Sequence, residues 1–476
     1  MTRLPPMRGA FSRVLPACLA FALWLPIVAA TQTTAAPPRQ APPKPGPAKD
    51  FVLQKPTRFT LANGLPVAMV KFGTVPKVRL QLVVEAGNVN ESPAQVWLAD
   101  TLGQMMQEGT TALSADELAR ELASMGGELS IANGADRFNI ATEVLAERGP
   151  EALRLLADVA QRPRLPEADL GRIKATLARQ LAVQKSRPQS IAEERFAALI
   201  YGDHPYGRLF PTEAMLAGHT LDDVRRFYKE HFGPRRARLY VAGVFDAGAM
   251  EKAVRDAFGG WTGADRKPPP LPAPQPRAFE LIDRAGAPQS TVLLGLRVPD
   301  PSSPEWVALE VTDSLLGGSF ASRITSNIRE QKGYTYSPGS YVSASPKVAE
   351  WAEQADITTE ATGAALKEIF TEIDRLRNEP PPAEELRGIQ NNLAGVFLVQ
   401  NSSRSGVISR LSFADQHGLG DDYLATYVKR VVAITPQDVQ RIAKEYLVPG
   451  RMTLVVVGDT KTVKDQLAPW SSGASQ

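Results

Sequence analysis

Hydrophobic positions along the chain fall into two spacings. Val78–Val84 (VRLQLVV) alternates apolar and polar residues as a half-buried strand does, and Gly87 ends it. Helical spacing follows over Ala94–Gln107 and Ser114–Met125, where apolar residues return every three or four positions. The strand pattern reappears at Ser290–Leu296, and helices are expected over Pro304–Leu316 and Ala321–Gln331. Asn63-Gly64, inside Leu61–Leu65, predicts a hairpin turn. Pro380-Pro381-Pro382 reads as a stop before a helix that begins at Ala383. Strands and helices come in runs instead of alternating strictly, which predicts an α+β fold with mainly antiparallel sheets.

The pattern occurs twice. Asp223, Val224, Arg226, Lys229 and Glu230 fall on Asp438, Val439, Arg441, Lys444 and Glu445, and without a gap Arg236, Leu239, Val241 and Gly243 fall on Arg451, Leu454, Val456 and Gly458. Both stretches read as an amphipathic helix, a short turn and a buried β-run, Arg238–Val241 in one and Met452–Val457 in the other. Upstream, at an offset one residue longer, Leu170, Ile173, Leu177, Ala178, Val183 and Gln184 meet Leu386, Ile389, Leu393, Ala394, Val399 and Gln400. Two near-identical offsets mark a duplicated domain.

Composition adds boundaries. With 43% hydrophobic and 22% charged residues the chain can bury ordinary cores, so global disorder is excluded. Residues 1–30 read as a secretory signal: Arg3, Arg8 and Arg13 precede the apolar run Val14–Ala29, and Val28-Ala29-Ala30 offers a small-residue cleavage site. A membrane anchor is the competing reading, but Pro16 and Pro26 interrupt a run already short of the ~20 residues a span needs. The expected destination is the periplasm, with no stable membrane span in the mature chain. Of the 54 basic residues, these three arginines would leave with the signal, so 51 remain against 51 acids. The neutral remainder gives no support to nucleic-acid binding. The single cysteine, Cys18, lies in the same segment, so the mature chain has neither disulfide nor thiolate. A Pro-rich spacer (31–55) and a Pro-rich linker (265–277) then delimit two domains, 56–264 and 278–468, with a tail at 469–476.

The chemistry begins with what is missing. The histidines are His204, His219, His231 and His417, and no two share a helix face at i, i+4. No Gly-x-Ser-x-Gly elbow or phosphate loop occurs. His204, before Pro205 in a turn, reads as structural. The charged stretches Glu151–Asp158 and Lys367–Arg377 read as solvated faces, and Arg235-Arg236 as a helix cap or solvent-facing pair.

Over residues 55–468 the sequence resembles the M16 peptidases: pitrilysin, insulinase and the mitochondrial processing peptidase. The resemblance is carried by Asn63-Gly64, Val84–Glu91 (VEAGNVNE), Gly109-Thr110, His204-Pro205-Tyr206-Gly207 and above all Leu315–Tyr341 (LLGGSFASRITSNIREQKGYTYSPGSY). It implies two homologous α/β-roll domains of the LuxS/MPP-like metallohydrolase type, with antiparallel sheets, helices on one side, and a half-clamshell shape. Active members carry His-x-x-Glu-His on the helix before the Gly-Thr. The matching positions here are Asp100, Thr101, Leu102, Gly103 and Gln104, and the third-ligand position falls near Gln180. The degenerate positions Asp100, Gly103, Gln104 and Gln180 imply that this chain holds no zinc and activates no water.

The second half departs less from the family. Arg329 and Tyr336 match a pair that in active members reaches across the cleft to substrate at the zinc, Arg329 donating to carbonyls and Tyr336 to the oxyanion. The helix carrying Arg329 is expected to end near Gly333 in a left-handed cap, with Tyr334–Tyr336 opening a strand. Gly317-Gly318 resembles a glycine-bearing loop near the substrate path. The resemblance thus implies the zinc-less subunit of a heterodimer whose partner bears His-x-x-Glu-His, binds Zn2+ and shares peptide substrates with this chain. A non-enzymatic scaffold or peptide-binding protein is the alternative. A lone peptidase using Asp100 and glutamines is a third reading, weakened by the poor affinity of neutral amides for zinc.

Overall fold

The computed structural model describes residues 55–267 and 270–471. The proposed signal, the spacer up to residue 54 and the last five residues of the tail lie outside the described residues.

Two sheets of matching strand order organise the chain. The first contains β1 (Thr57–Thr60), β2 (Pro66–Lys71), β3 (Lys77–Val84), β4 (Ser130–Asn133), β5 (Phe138–Leu145) and β6 (Ala237–Gly243), in the order β1-β2-β6-β3-β5-β4. The second contains β7 (Phe279–Asp283), β8 (Gln289–Val298), β9 (Gly339–Ser345), β10 (Val348–Thr358) and β11 (Thr453–Gly458), in the order β7-β11-β8-β10-β9. Removing β1 makes the two orders equivalent. In each sheet one pair is parallel, β2 with β6 and β7 with β11, and every other pair is antiparallel. β1 is added by the predicted hairpin: Gly64 takes φ +92°, Asn63 Oδ1 accepts from the Leu65 amide, and its Nδ2 donates to the Phe258 and Trp261 carbonyls.

The helices of the first half are α1 (Leu98–Met105), α2 (Ala115–Ser124), α3 (Gly149–Gln161), α4 (Glu167–Ser186), α5 (Pro188–Tyr201), α6 (Glu213–Gly218), α7 (Leu221–His231) and α8 (Ala247–Phe258). Those of the second half are α9 (Trp306–Asp313), α10 (Thr362–Asn378), α11 (Ala383–Gln400), α12 (Arg404–His417), α13 (Asp422–Ala433) and α14 (Pro436–Tyr446). The duplication extends to local chemistry: Thr220 and Asp223 form a capping box on α7, and Thr435 and Asp438 form the same box on α14.

Each half lays its own helices over one face of its sheet. The other face is covered by one helix from the sister half. Ala192, Phe196 and Ile200 of α5 pack on Leu293, Ala352, Val455 and Val457 of the second sheet. In return, Val407, Ile408 and Leu411 of α12 share a core with Val70, Val83 and Tyr240 of the first. At about 1.5–3 kcal/mol per buried large apolar side chain, this exchange ties the halves together. Polar contacts add direction: Arg404 pairs with Glu143 at 2.7 Å, and the Tyr240 hydroxyl donates to Asp415 at 2.8 Å.

Two local expectations change. Arg236 is neither a cap nor solvated: it is 4% exposed and donates through Nε and Nη2 to the Glu85 carbonyl. Tyr334–Tyr336 does not open a strand. The Tyr334 amide donates to the Ile328 carbonyl and closes the helix, Thr335 forms only an isolated bridge with Ile357, and β9 starts at Gly339, after Pro338, which has no N–H to give a ladder. Among the described residues no helix is long and apolar enough to cross a membrane.

Candidate functional site

Helix α1 starts later than its apolar spacing suggests, at Leu98, because Trp97 turns into the left-handed region at φ 68°. The turn is held by Glu91, whose carboxylate accepts from the Trp97 and Ala99 amides at 2.9 and 2.7 Å and so fills the helix's first donors. Glu91 is buried, and burial, helped by the neighbouring Asp100 charge, pushes its carboxyl up to about 8. Asp100 accepts from Asn88 Nδ2 at 2.7 Å, and burial raises its carboxyl too. Gly103 is buried; a Cβ there would lie 2.9 Å from Asn133 Oδ1 and 3.3 Å from the Phe138 ring. The volume a side chain would need at position 103 is thus taken by Asn133.

The remaining positions do not assemble a donor set. Gln104 is half-buried on α1, while Gln180 is exposed on α4 without a side-chain hydrogen bond. The one histidine against α1, His219, meets Thr101 Oγ1 at 3.0 Å on the helix's buried face, and burial holds its imidazole below the usual range. His204 is structural, as expected: Nδ1 accepts from the Tyr206 amide, so Nε2 carries the proton given to the Pro270 carbonyl at 2.8 Å. Among the described residues no three His, Cys, Asp or Glu side chains converge to hold a metal ion.

In the second half Arg329 and Tyr336 come together. The turns around Thr325–Gln331 are widened to π type, and Gly333, at φ +65°, reverses the chain as expected. This returns Tyr336 to Arg329: the guanidinium carbon sits 5.0 Å from the Tyr336 ring centroid and 4.6 Å from that of Phe320. Tyr336 is 77% and Phe320 70% exposed, so the layered Phe320–Arg329–Tyr336 group projects from the surface. Each contact contributes about 0.5–1 kcal/mol at an exposed site. Arg329 Nε also meets Glu330 at 3.2 Å. The hydroxyl of Tyr336 and the guanidinium edge are donors held near one another on an accessible face, suited to peptide carbonyls. Phe320 carries no sequence motif that announces a role; its exposure singles it out.

Gly317 and Gly318 end a π-type turn, Ser314–Gly318, that continues α9. Gly317 is buried, and a Cβ there would lie 2.5 Å from Ser340 Oγ and 2.6 Å from Glu353 Oε2; Gly318 is exposed and crowds Asp313. Beneath the turn, Asp313 accepts from Ser340 at 2.5 Å and from Trp351 Nε1 at 2.8 Å, and burial moves its carboxyl up to about 6. Glu353, fully buried, is pushed well above the carboxylate range by burial and by Asp313.

Comparison with known proteins shows the family and the fold. A family profile described as Insulinase (Peptidase family M16) matches residues 67–210, and one described as Peptidase M16 inactive domain matches residues 219–393. The chain belongs to the M16 peptidase family. An uncharacterized zinc protease of Streptomyces coelicolor is 25% identical over 85% of this chain and 90% of its own length. The uncharacterized zinc protease YmxG of Bacillus subtilis is 25% identical over 74% and 86%. The M16 fold is seen in a Pseudomonas fluorescens structure described as a peptidase M16 inactive domain, with TM-score 0.79 and 21% identity over 85% of this chain and 98% of that one. A Helicobacter pylori protease superposes equally well, with TM-score 0.79 at 20% identity.

Zinc, which the names of these relatives imply, does not fit the residues of this M16 chain. Asp100 is already hydrogen-bonded by Asn88, glutamine amides are poor zinc ligands, and Asn133 fills the place of a side chain at Gly103.

Proposed function

We propose that this chain is the zinc-less subunit of an M16-type zinc endopeptidase acting on peptides, working with a partner subunit that carries His-x-x-Glu-His and Zn2+. The observation that carries the reading is the contrast between the halves. The α1 positions lack a donor set, whereas Arg329 and Tyr336 stand together at the surface, with the Tyr336 hydroxyl and the guanidinium N–H groups other than the Glu330-paired Nε left for substrate. In the complex, Arg329 holds substrate carbonyls and the Tyr336 hydroxyl donates to the oxygen that gains charge as the peptide bond is attacked, where one donor is worth about 3 kcal/mol. Gly317-Gly318 flanks this surface as the turn along which the peptide lies. Residues 1–30 direct export, and the assembly works in the periplasm.

A second reading, a non-enzymatic peptide-binding or scaffold protein, draws on the same surface, because Phe320, Arg329 and Tyr336 could dock a peptide without chemistry. Peptide cleavage by the chain alone and by the chain co-purified with a His-x-x-Glu-His subunit separates the two. An inert chain and an active, chelator-sensitive complex support the split site; a complex that forms but cleaves nothing supports the scaffold.

A further inference from the structure

The seam between the halves holds a cavity of about 90 Å3, lined on one side by Val83, Arg236 and Tyr240 of the first sheet and on the other by Ser412 of α12, with Arg137 and Lys267 at its wall. Its acids are all engaged. Asp415 takes Arg58 at 3.1 Å and the Tyr240 hydroxyl, Glu85 takes Arg266 at 2.7 Å, and Asp136 takes the hydroxyls of Tyr206 and Ser345 at 2.5 and 2.9 Å. Its bases are not. Arg236 gives Nε and Nη2 to a peptide carbonyl, that of Glu85, and Arg137 gives Nη1 to the Ser412 hydroxyl at 3.0 Å. Neither partner carries charge. Among the described residues no carboxylate lies within ion-pair distance of Arg137, Arg236 or Lys267, and Asp136 and Glu85 act on the two guanidiniums only from longer range.

Buried charge is unfavourable unless an opposite charge meets it, and arginine cannot relieve the imbalance by losing its proton. A buried guanidinium, Arg236, and a half-buried one, Arg137, around one cavity, each with polar but uncharged partners, therefore ask for an anion. We propose that this cavity is a binding site for a small oxyanion-bearing ligand, a carboxylate or phosphate group held by Arg137 and Arg236, with Lys267 at the mouth. Planar guanidinium donors match either group in pairs, the Tyr240 ring and Val83 offer an apolar wall to the rest of the molecule, and the volume admits a small molecule and not a peptide. Because Arg137 belongs to the first half and its partner Ser412 to the second, the bound anion joins the halves and stabilises their docking. The site is independent of Arg329 and Tyr336.

The test is calorimetric titration and thermal unfolding of the full chain with inorganic phosphate and, separately, with benzoate, against sodium chloride at matched ionic strength. The expected result is one saturable site per chain for at least one probe and a rise in melting temperature beyond chloride. Affinity should fall at least tenfold in Arg137→Gln and severalfold in the exposed Lys267→Gln, which keeps the test open should the first variant not fold. Phosphate binding alone assigns the site to phosphate groups, and benzoate binding alone to carboxylates with an apolar body. Absence of saturable binding to both, or affinity unchanged in the folded variants, overturns the proposal.

Discussion

The guanidinium of Arg329 lies over the ring of Tyr336, 5.0 Å from its centroid, although the two belong to a helix end and to the loop beyond it. The approach depends on Gly333, whose positive φ folds the loop back, and on Phe320, which covers the other side of the guanidinium. A stacked arginine keeps its in-plane N–H groups available at the edge, so the aromatic pair orients the donors without using them.

Phe320 is the part of this group without a motif, and its removal separates orientation from folding. With Phe320 70% exposed, Phe320→Ala should change unfolding stability by no more than about 0.5 kcal/mol. Peptide affinity of the complex should drop severalfold as Arg329 loses one wall. Fluorescence titration with a labelled, uncleaved peptide reads the second effect, and unchanged affinity would remove Phe320 from the surface.

Gly317 is required by packing whatever its role toward substrate. Gly317→Ala would put a methyl against Ser340 and the buried Glu353, and a loss of about 1–3 kcal/mol in urea unfolding is expected. Gly395, within α11 and with open space around its missing Cβ, is the control: Gly395→Ala should gain up to about 1 kcal/mol. Equal effects at the two sites would contradict the close approach seen at Gly317.

Buried acids set the pH dependence. The Glu91 carboxyl is held up to about 8 against 4.5 for its ordinary value, so between these limits the folded chain binds the proton more tightly than the unfolded one. Stability from this group is therefore complete at the acidic end and is lost as pH rises toward 8, by about 1.4 kcal/mol per pH unit at most. Glu310, moved up by burial to about 7, and Asp313 act in the same sense. Melting temperature should fall from pH 7 to pH 9, above the window in which His231 and His417, held down to about 4 by burial, act in the opposite sense. Glu91→Gln should flatten that decline; a rise between pH 7 and 9 would contradict the assignment.

Metal binding gives a direct check on the first half. After dialysis of the purified chain against zinc and gel filtration, elemental analysis should find well under one zinc per chain. A stoichiometric ion lost in Asp100→Ala would show that α1 does hold metal.

Much of this was legible in the sequence. The β-runs at Arg238–Val241 and Met452–Val457, with their preceding helices, marked the duplication, and both fell into the same place in their sheets. What could not be read was which sheet each connecting helix would cover: the apolar face of α5, with Phe196 and Ile200, is equally suited to its own sheet or to its sister. The π-type turns at Ser314–Gly318 and Thr325–Gln331 also escaped, because they answer to tertiary neighbours such as Ser340 and Glu353 and not to local spacing. At the candidate site, Arg329 and Tyr336 were marked by their spacing within a family-like stretch. Phe320 and Glu91 were not, since an exposed aromatic and a buried acid become distinctive only once their surroundings are fixed.

The most direct test of the divided site is Tyr336→Phe, assayed in the complex with the His-x-x-Glu-His subunit. The substitution keeps the ring under Arg329 and removes only the hydroxyl. The expected result is normal folding, normal assembly and near-normal KM, with kcat for peptide cleavage lowered about 10²–10³-fold. Cleavage at the wild-type rate would contradict the central claim, because this chain would then supply no donor to the reaction.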